Sequence, residues 1–170
     1  MANTFVKIQT VTVGSGGAAN IDFTSIPQTY TDLKLVYSAR IARTGQNADD
    51  VLLSFNTLTT TFTNRYVYGN GASVLSGTTP VRYGGISPAT TATASVFGNS
   101  EVYIPNYTSA NYKSFSVDSV SENNAATAYQ ILVAGLWSNT AAITGITLTP
   151  ANGTAFDQYS TATLYGIKSS

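Results

Sequence analysis

The chain is 170 residues long, with 43% apolar, 11% aromatic and only 9% charged residues, and its eight basic side chains balance eight acidic ones. An ordinary soluble domain is about 25% charged, and the scattered cations here exclude the clustered charge that nucleic-acid binding needs. No apolar run approaches the roughly 20 residues of a membrane span, and the apolar content argues against disorder. We therefore expect one globular domain, or one domain with an arm, whose neutral surface favours self-association.

The N-terminal segment, residues 4–13 (TFVKIQTVTV), consists almost entirely of β-formers and predicts the first strand. Because both of its faces are partly apolar, this strand either pairs into the sheet or reaches a neighbouring protein as an arm. We accordingly divide the chain into an N-terminal strand or arm, residues 1–18, and a β-sandwich domain, residues 19–170. The predicted partner contacts of the arm are its apolar side chains, Phe5, Val6, Ile8, Val11 and Val13.

The clearest pattern in the chain follows, over residues 31–43, where apolar and polar side chains alternate. Period two over this length predicts a long strand with one buried and one exposed face. The next residues, 44–50, predict a polar turn in which Asp49 and Asp50 are solvated. Two carboxylates fall short of the six to eight oxygen ligands that Ca²⁺ takes, so we predict no metal there.

The middle of the chain predicts strands at residues 51–56 and 63–68, and the Asn70-Gly71 pair between β-forming runs predicts a hairpin turn. Residues 73–94 are rich in Gly and Pro and are the least regular part of the sequence. We interpret them as an excursion from the sheet, the kind of surface segment in which binding or subunit contacts usually lie.

The chain returns to regular strand patterns from residue 96 onward. Strands are predicted at residues 96–97, 101–104, 112–120, 129–137, 143–149 and 161–167. The sole Trp, Trp137, ends one of them, and an aromatic side chain of that size normally anchors a core or an interface. With about eight to ten strands, turn signals at intervals of roughly 8 to 15 residues and no convincing helix, we predict an all-β fold, an antiparallel β-sandwich of jelly-roll type.

Residues that carry chemistry are scarce. The sequence has no His and no Cys, which removes the commonest general base, the thiol nucleophile and most transition-metal sites. The carboxylates lie beside predicted turns or on exposed faces, where solvation explains them. We predict that the protein is not an enzyme and uses no cofactor.

Tyrosine is the one side chain whose abundance points to binding. The chain has eleven, and six of them cluster in its middle: Tyr66, Tyr68, Tyr83, Tyr103, Tyr107 and Tyr112. Their rings can stack on the faces of sugars or form subunit contacts. Alternatively, tyrosine is simply favoured in half-buried strands. Both interpretations stay open at this point.

Several segments that determine strands and turns also carry a resemblance: IDFTSIPQTYTDLKLVYSAR at 21–40, SFN at 54–56, YGNG at 68–71, GLWSNTAAITGITLTP at 135–150 and QYSTATLYGIK at 158–168. In them the chain resembles a family of small structural proteins of tailed bacteriophages. The resemblance spans most of the chain outside residues 73–93. It implies a virion component that either decorates a capsid or forms part of a fibre, and it implies no catalytic residue.

Together these observations predict a capsid decoration, or cement, protein of a bacteriophage. We expect it to form homotrimers and to bind the major capsid protein over subunit junctions, with no nucleic-acid or membrane partner. Residues 1–11 (MANTFVKIQTV) show neither the apolar region nor the cleavage site of a secretion signal, so we expect assembly into the virion in the host cytoplasm. The alternative is a tail fibre or receptor-binding module that recognises host surface glycans through its tyrosines.

Overall fold

The computed structural model describes residues 4–124 and 127–168, which form twelve strands and no helix. The strands are β1 (Phe5–Thr12), β2 (Ile21–Phe23), β3 (Asp32–Ala39), β4 (Ala48–Phe55), β5 (Phe62–Gly69), β6 (Val74–Thr79), β7 (Tyr83–Pro88), β8 (Gly98–Ile104), β9 (Lys113–Ser121), β10 (Tyr129–Trp137), β11 (Ile146–Pro150) and β12 (Thr161–Ile167). None of the described residues forms a helix that is long and apolar enough to cross a membrane.

The strands form two antiparallel sheets. The larger sheet has the order β1-β12-β3-β8-β9-β10-β5-β6, and the smaller one has the order β2-β11-β4-β7. Without the pairs β5–β6 and β9–β10, the order is β1-β12-β3-β8 facing β2-β11-β4-β7, which is the strand order of a jelly roll. The predicted jelly-roll sandwich is confirmed. The count of twelve exceeds the predicted eight to ten because β6 and β7 lie in residues 73–94, where no strand was predicted. β9, β10, β5 and β6 extend the larger sheet beyond the jelly-roll strands; we call these four strands the extension.

The core lies between the two sheets and follows from alternation along the strands. In β3, Leu33, Leu35, Tyr37 and Ala39 are buried while the residues between them are partly exposed, as the period-two pattern predicts. Trp137 is fully buried at the end of β10, with its ring centroid 5.4 Å from that of Phe55 and 6.3 Å from that of Phe62. It anchors the core, as predicted.

The N-terminal strand is paired within the sheet. β1 pairs with β12 from Phe5 opposite Ile167 to Thr12 opposite Thr161, so the structure has the first of the two predicted arrangements, and β1 forms one edge of the larger sheet. Val13 is buried, whereas 53% of Phe5 is exposed. Contact of this strand with a partner stays a prediction, and Phe5 offers the most accessible surface for it.

The prediction that residues 73–94 leave the sheet is wrong, because they contain β6 and β7. Their glycines resemble turn signals but serve close packing, within the smaller sheet at Gly84 and between the sheets at Gly85. A Cβ atom at Gly84 would lie 3.1 Å from the Cβ of Leu53, and one at Gly85 would lie 2.8 Å from the hydroxyl oxygen of Ser100. Glycine in a strand often marks such a close approach.

The predicted Asn-Gly hairpin is present, with a longer turn than the tightest type. β5 and β6 pair from Gly69 opposite Val74, which leaves a four-residue turn over residues 70–73. The Asn70 side-chain oxygen accepts hydrogen bonds from the backbone N–H groups of Ala72 and Ser73, and Gly71 has a φ of 87°. This turn fixes the register of β5 against β6.

Candidate functional site

A cleft lies where the larger sheet projects beyond the smaller one. The edge strand β7 of the smaller sheet packs over β8, β9 and β10, and β5 and β6 extend past it. The cleft between them has a volume of about 260 Å³. Four tyrosines from three strands line it, together with a carboxylate from β4: Tyr66, Tyr68, Tyr83, Tyr129 and Asp50. We call this site the tyrosine cleft.

The four rings form a continuous aromatic surface. Tyr66 and Tyr68 stand two residues apart on the same face of β5, with centroids 6.0 Å apart and an angle of 29° between the rings. Tyr83 meets Tyr66 edge-on at 5.6 Å, and Tyr129 lies 6.2 Å from Tyr68 at an angle of 53°. Each of the four is half-buried, so the ring faces are fixed by packing while part of each side chain remains accessible.

A glycine on β6 sets the position of one ring. Gly77 is the partner of Tyr66 in the ladder between β5 and β6. A Cβ atom at Gly77 would lie 2.6 Å from the hydroxyl oxygen of Tyr66 and 2.8 Å from its Cζ. The Tyr66 ring therefore lies across Gly77, and a larger residue there would displace it.

The two adjacent aspartates of β4 have different environments, and the predicted solvated turn is wrong for both because β4 begins at Ala48. Asp49 is buried and holds the loop after β11. Its carboxylate accepts hydrogen bonds from Arg43 Nη1 at 2.8 Å, from the Asn152 side chain at 2.9 Å, and from the backbone N–H groups of Asn152 at 3.0 Å and Gly153 at 2.8 Å. Four donors satisfy this carboxylate, which makes its role structural.

Asp50, by contrast, faces the cleft with few protein partners. Burial raises its pKa to about 6, and the charge of Asp49 adds to this effect, whereas Arg43 and a hydrogen bond from Tyr83 act in the opposite direction. Burial and the Asp50 charge in turn raise the pKa of Tyr83 to about 12. The Tyr83 hydroxyl is therefore a neutral donor to the Asp50 carboxylate at neutral pH.

A β-bulge in β7 lies beside Asp50. Val51 pairs with Gly85 and the next residue of β4, Leu52, pairs with Tyr83, so the extra residue, Gly84, belongs to β7. Gly85 has a φ of 140°. Bulges re-aim side chains next to functional sites, and this one stands next to Tyr83, which lines the cleft together with Asp50.

The structure brings together three of the six tyrosines that the sequence singled out, and glycan or subunit contact by any of the six stays a prediction. Tyr66, Tyr68 and Tyr83 come together in the cleft. Tyr103 instead lies on the outer face of the larger sheet, where its hydroxyl donates to Asp32 at 2.7 Å. Tyr107 is fully buried and donates to the backbone carbonyl of Pro27. Tyr112 is 59% exposed and does not line the cleft.

Sequence reasoning missed two residues of the cleft. Tyr129 opens the predicted strand at residues 129–137, and its spacing from the buried residues Ile131 and Val133 assigns it to the inner face. That signal was available from alternation alone. Asp50 was noticed only as half of a possible metal ligand pair, because its place in the cleft depends on the packing of the smaller sheet against the extension.

The described residues contain no group of three or more His, Cys, Asp or Glu side chains that could hold a metal ion. The cleft offers aromatic rings, hydroxyl groups, amides, the ion pair of Arg43 with Asp49, and the Asp50 carboxylate as its chemistry. Comparisons with protein-family models, with curated proteins and with solved structures find no match for this chain. Its function must be inferred from the surface and the cleft.

Proposed function

We propose that the protein is a virion structural component of a bacteriophage, a capsid decoration protein that stabilises the head by binding over junctions between capsid subunits. The observation that carries this proposal is the outer face of the extension, which is exposed, apolar and nearly uncharged. The resemblance of the sequence to small phage structural proteins and the jelly-roll fold are consistent with the same role.

The outer face of the extension consists of the residues that alternate with the buried ones on β9, β10, β5 and β6. Leu132 and Val67 are direct neighbours on β10 and β5, and they are 48% and 39% exposed. Val74 on the edge strand β6 is 77% exposed. Among these outward positions the only charged side chains are Asp118 and Arg65. A face depleted of charge with apolar side chains at its centre is typical of a protein interface.

The edge of the same region favours assembly. Among the strands that the structure describes, β6 has one neighbour, β5. Its sequence VLSGTT contains none of the charges or prolines that usually protect an exposed edge. An edge of this kind is a template for pairing with another chain. We infer that the extension contacts the major capsid protein or other copies of this chain, and that homotrimers sit over the subunit junctions.

The direct test is the number of copies of the protein in purified virions, measured by quantitative mass spectrometry against the major capsid protein. A decoration protein is expected at hundreds of copies in a fixed ratio to the capsid subunit. The double variant Val67→Ser and Leu132→Ser is expected to fold but to lose incorporation, whereas Tyr112→Ser, an exposed substitution elsewhere, is expected to be incorporated normally. Virions with only a few copies, or capsids that lose no stability without the protein, would exclude this role.

A tail fibre or receptor-binding module is the second candidate, and the tyrosine cleft is the observation that favours it. A fibre component is expected at a few to a few tens of copies per virion. The copy number therefore separates the two candidates before any ligand is known. In the fibre role, substitutions in the cleft would reduce attachment of virions to host cells without reducing the copy number.

A further inference from the structure

We propose that the tyrosine cleft binds one ring of a neutral saccharide, with the tyrosine rings against the apolar face of the sugar and Asp50 accepting hydrogen bonds from its hydroxyl groups. This inference goes beyond the structural role proposed above. It rests on the geometry of the cleft alone and applies to either location in the virion.

The charges in the cleft disfavour an anionic ligand. Asp49 and Arg43 form an ion pair at 2.8 Å, so these two groups largely neutralise each other. Asp50 remains as an uncompensated carboxylate and repels phosphates, sialic acids and uronic acids. A ring that is uncharged and rich in hydroxyl groups avoids this repulsion.

Asp50 has acceptor capacity that the protein does not use. An ionised carboxylate offers about four lone-pair sites, and the side-chain partner that the structure gives Asp50 is the Tyr83 hydroxyl. By comparison, the carboxylate of the neighbouring Asp49 accepts hydrogen bonds from four donors. The free positions on Asp50 suit a pair of adjacent sugar hydroxyls, and hydrogen bonds to a charged acceptor are the stronger kind.

The raised pKa of Asp50 supports a functional role. A carboxylate held partly out of water with one partner opposes folding when it is ionised, and groups of this kind cluster at functional sites. With a pKa of about 6, Asp50 is mostly ionised at pH 7.5 and is then a pure acceptor. Replacement by Asn would remove the charge and half of the acceptor capacity while preserving the shape of the side chain.

The size and walls of the cleft suit a single sugar ring. Its volume of about 260 Å³ lies below the roughly 300 to 1,000 Å³ typical of sites for drug-sized ligands. The rings of Tyr66 and Tyr68, which stand at 29° to each other, provide an apolar wall. At the rim, Gln46 and Asn47 supply amide groups, and the Asn47 side chain is oriented by donating to the carbonyl of Thr127 at 3.1 Å. Flat rings with amides around them match a sugar, which has an apolar face and a polar edge.

The test uses the full chain at pH 7.5 and a panel of methyl glycosides of glucose, galactose, mannose and N-acetylglucosamine. Binding is detected by saturation-transfer difference NMR and quantified by calorimetry. At least one of these glycosides is expected to bind with a millimolar dissociation constant. N-acetylneuraminic acid, methyl glucuronide and choline serve as charged probes and are expected not to bind.

Two variants assign the binding to the cleft. Tyr68→Ala removes a ring, and Asp50→Asn removes the charged acceptor; each is expected to weaken binding by about tenfold or more, as expected when a hydrogen bond to a charged group or a stacking contact is lost. Tyr112→Ala, at an exposed tyrosine outside the cleft, is the matched control and is expected to bind like the parent. Circular dichroism confirms that each variant is folded.

Three results would overturn the proposal: no neutral glycoside binds, a charged probe binds in preference to the neutral ones, or the cleft variants bind as tightly as the parent. None of these three results bears on the copy number of the protein in virions. The saccharide proposal and the decoration proposal therefore succeed or fail independently.

Discussion

The two halves of the larger sheet differ in what covers their inner faces. In the half formed by β1, β12, β3 and β8, which we call the jelly-roll half, the inner faces of β12, β3 and β8 are buried, and Leu35 and Val102 have no exposed surface. In the extension, coverage ends at β7, and Tyr66, Tyr68 and Tyr129 remain half-buried. The two halves therefore serve different ends: one forms a closed core that stabilises the fold, and the other leaves an accessible pocket that can bind a ligand.

Their outer faces differ in a complementary way. The jelly-roll half carries charges that are paired across strands, such as Lys34 with Glu101 at 2.8 Å and Asp32 with the Tyr103 hydroxyl at 2.7 Å. The outer face of the extension instead exposes Leu132 and Val67. Paired charges keep a surface hydrated, whereas exposed apolar side chains favour contact with another protein. The extension is therefore the part of the molecule where both proposed interactions lie.

The largest contrast is expected between two leucines. Leu35→Ala in β3 should reduce the free energy of unfolding by about 2 to 5 kcal/mol, because the cavity lies in the sealed core. Leu132→Ala on the outer face of the extension should change it by less than about 0.5 kcal/mol. Urea denaturation measures both. Equal losses would mean that the extension is packed as tightly as the jelly-roll half.

Asp49→Asn is the next largest effect. The substitution removes the ion pair with Arg43 and places an amide N–H₂ group among N–H donors. The free energy of unfolding should therefore fall by about 1.5 to 3 kcal/mol. Thermal denaturation at pH 7.5 tests this expectation, with Asp50→Asn as the matched control one residue away. A neutral result for Asp49→Asn would contradict the structural role given to this carboxylate.

Two glycines test whether β9 and β10 of the extension are packed as tightly as the jelly-roll half. A Cβ atom at Gly135 on β10 would overlap the ring of Phe115, whereas one at Gly69 on β5 would meet nothing within 4 Å. Gly135→Ala should therefore cost about 1 to 3 kcal/mol through overpacking, and Gly69→Ala should be close to neutral. Chemical denaturation measures the free energy of unfolding of both variants. If Gly135→Ala leaves it unchanged, the Phe115 ring can move aside.

The smallest expected effect on stability is that of Asp50→Asn, which should stabilise the fold, whereas the substitutions above destabilise it. The Asp50 pKa of about 6 in the fold lies above the ordinary value of 3.8, so the folded state holds the proton more tightly than the unfolded chain. Stability from this group is present below about pH 4 and is lost as the pH rises through 6. Asp50→Asn should therefore raise the melting temperature at pH 7.5 and have little effect near pH 4.

The groups around Asp50 sharpen that measurement. Asp49, Arg43 and Tyr83 all act on its pKa, and Tyr83 titrates only near pH 12, far from the range concerned. A melting temperature that is lower for Asp50→Asn than for the parent at pH 7.5 would mean that the ionised carboxylate stabilises the fold. The cleft would then lose one of the arguments for a binding role.

Much of the fold was determined by local sequence pattern. Alternation located β3 around Leu33 and Leu35, and the run of apolar residues at 161–167 coincides with β12. Trp137 was identified as a core anchor from its type and its place at the end of a strand. These predictions succeed because a half-buried strand must alternate, and because a large aromatic ring contributes most when it is buried.

What only the tertiary structure decided is which strands become neighbours. β6 and β7 were mistaken for an excursion because their glycines look like turn signals until the residues packed against them are known. The tyrosine cleft joins Asp50, Tyr66, Tyr83 and Tyr129 from four strands that are spread over residues 48–137. The sequence alone does not show that these residues lie together. Strand pairing, sheet overlap and the bulge beside Asp50 are set by non-local contacts, which local periodicity does not encode.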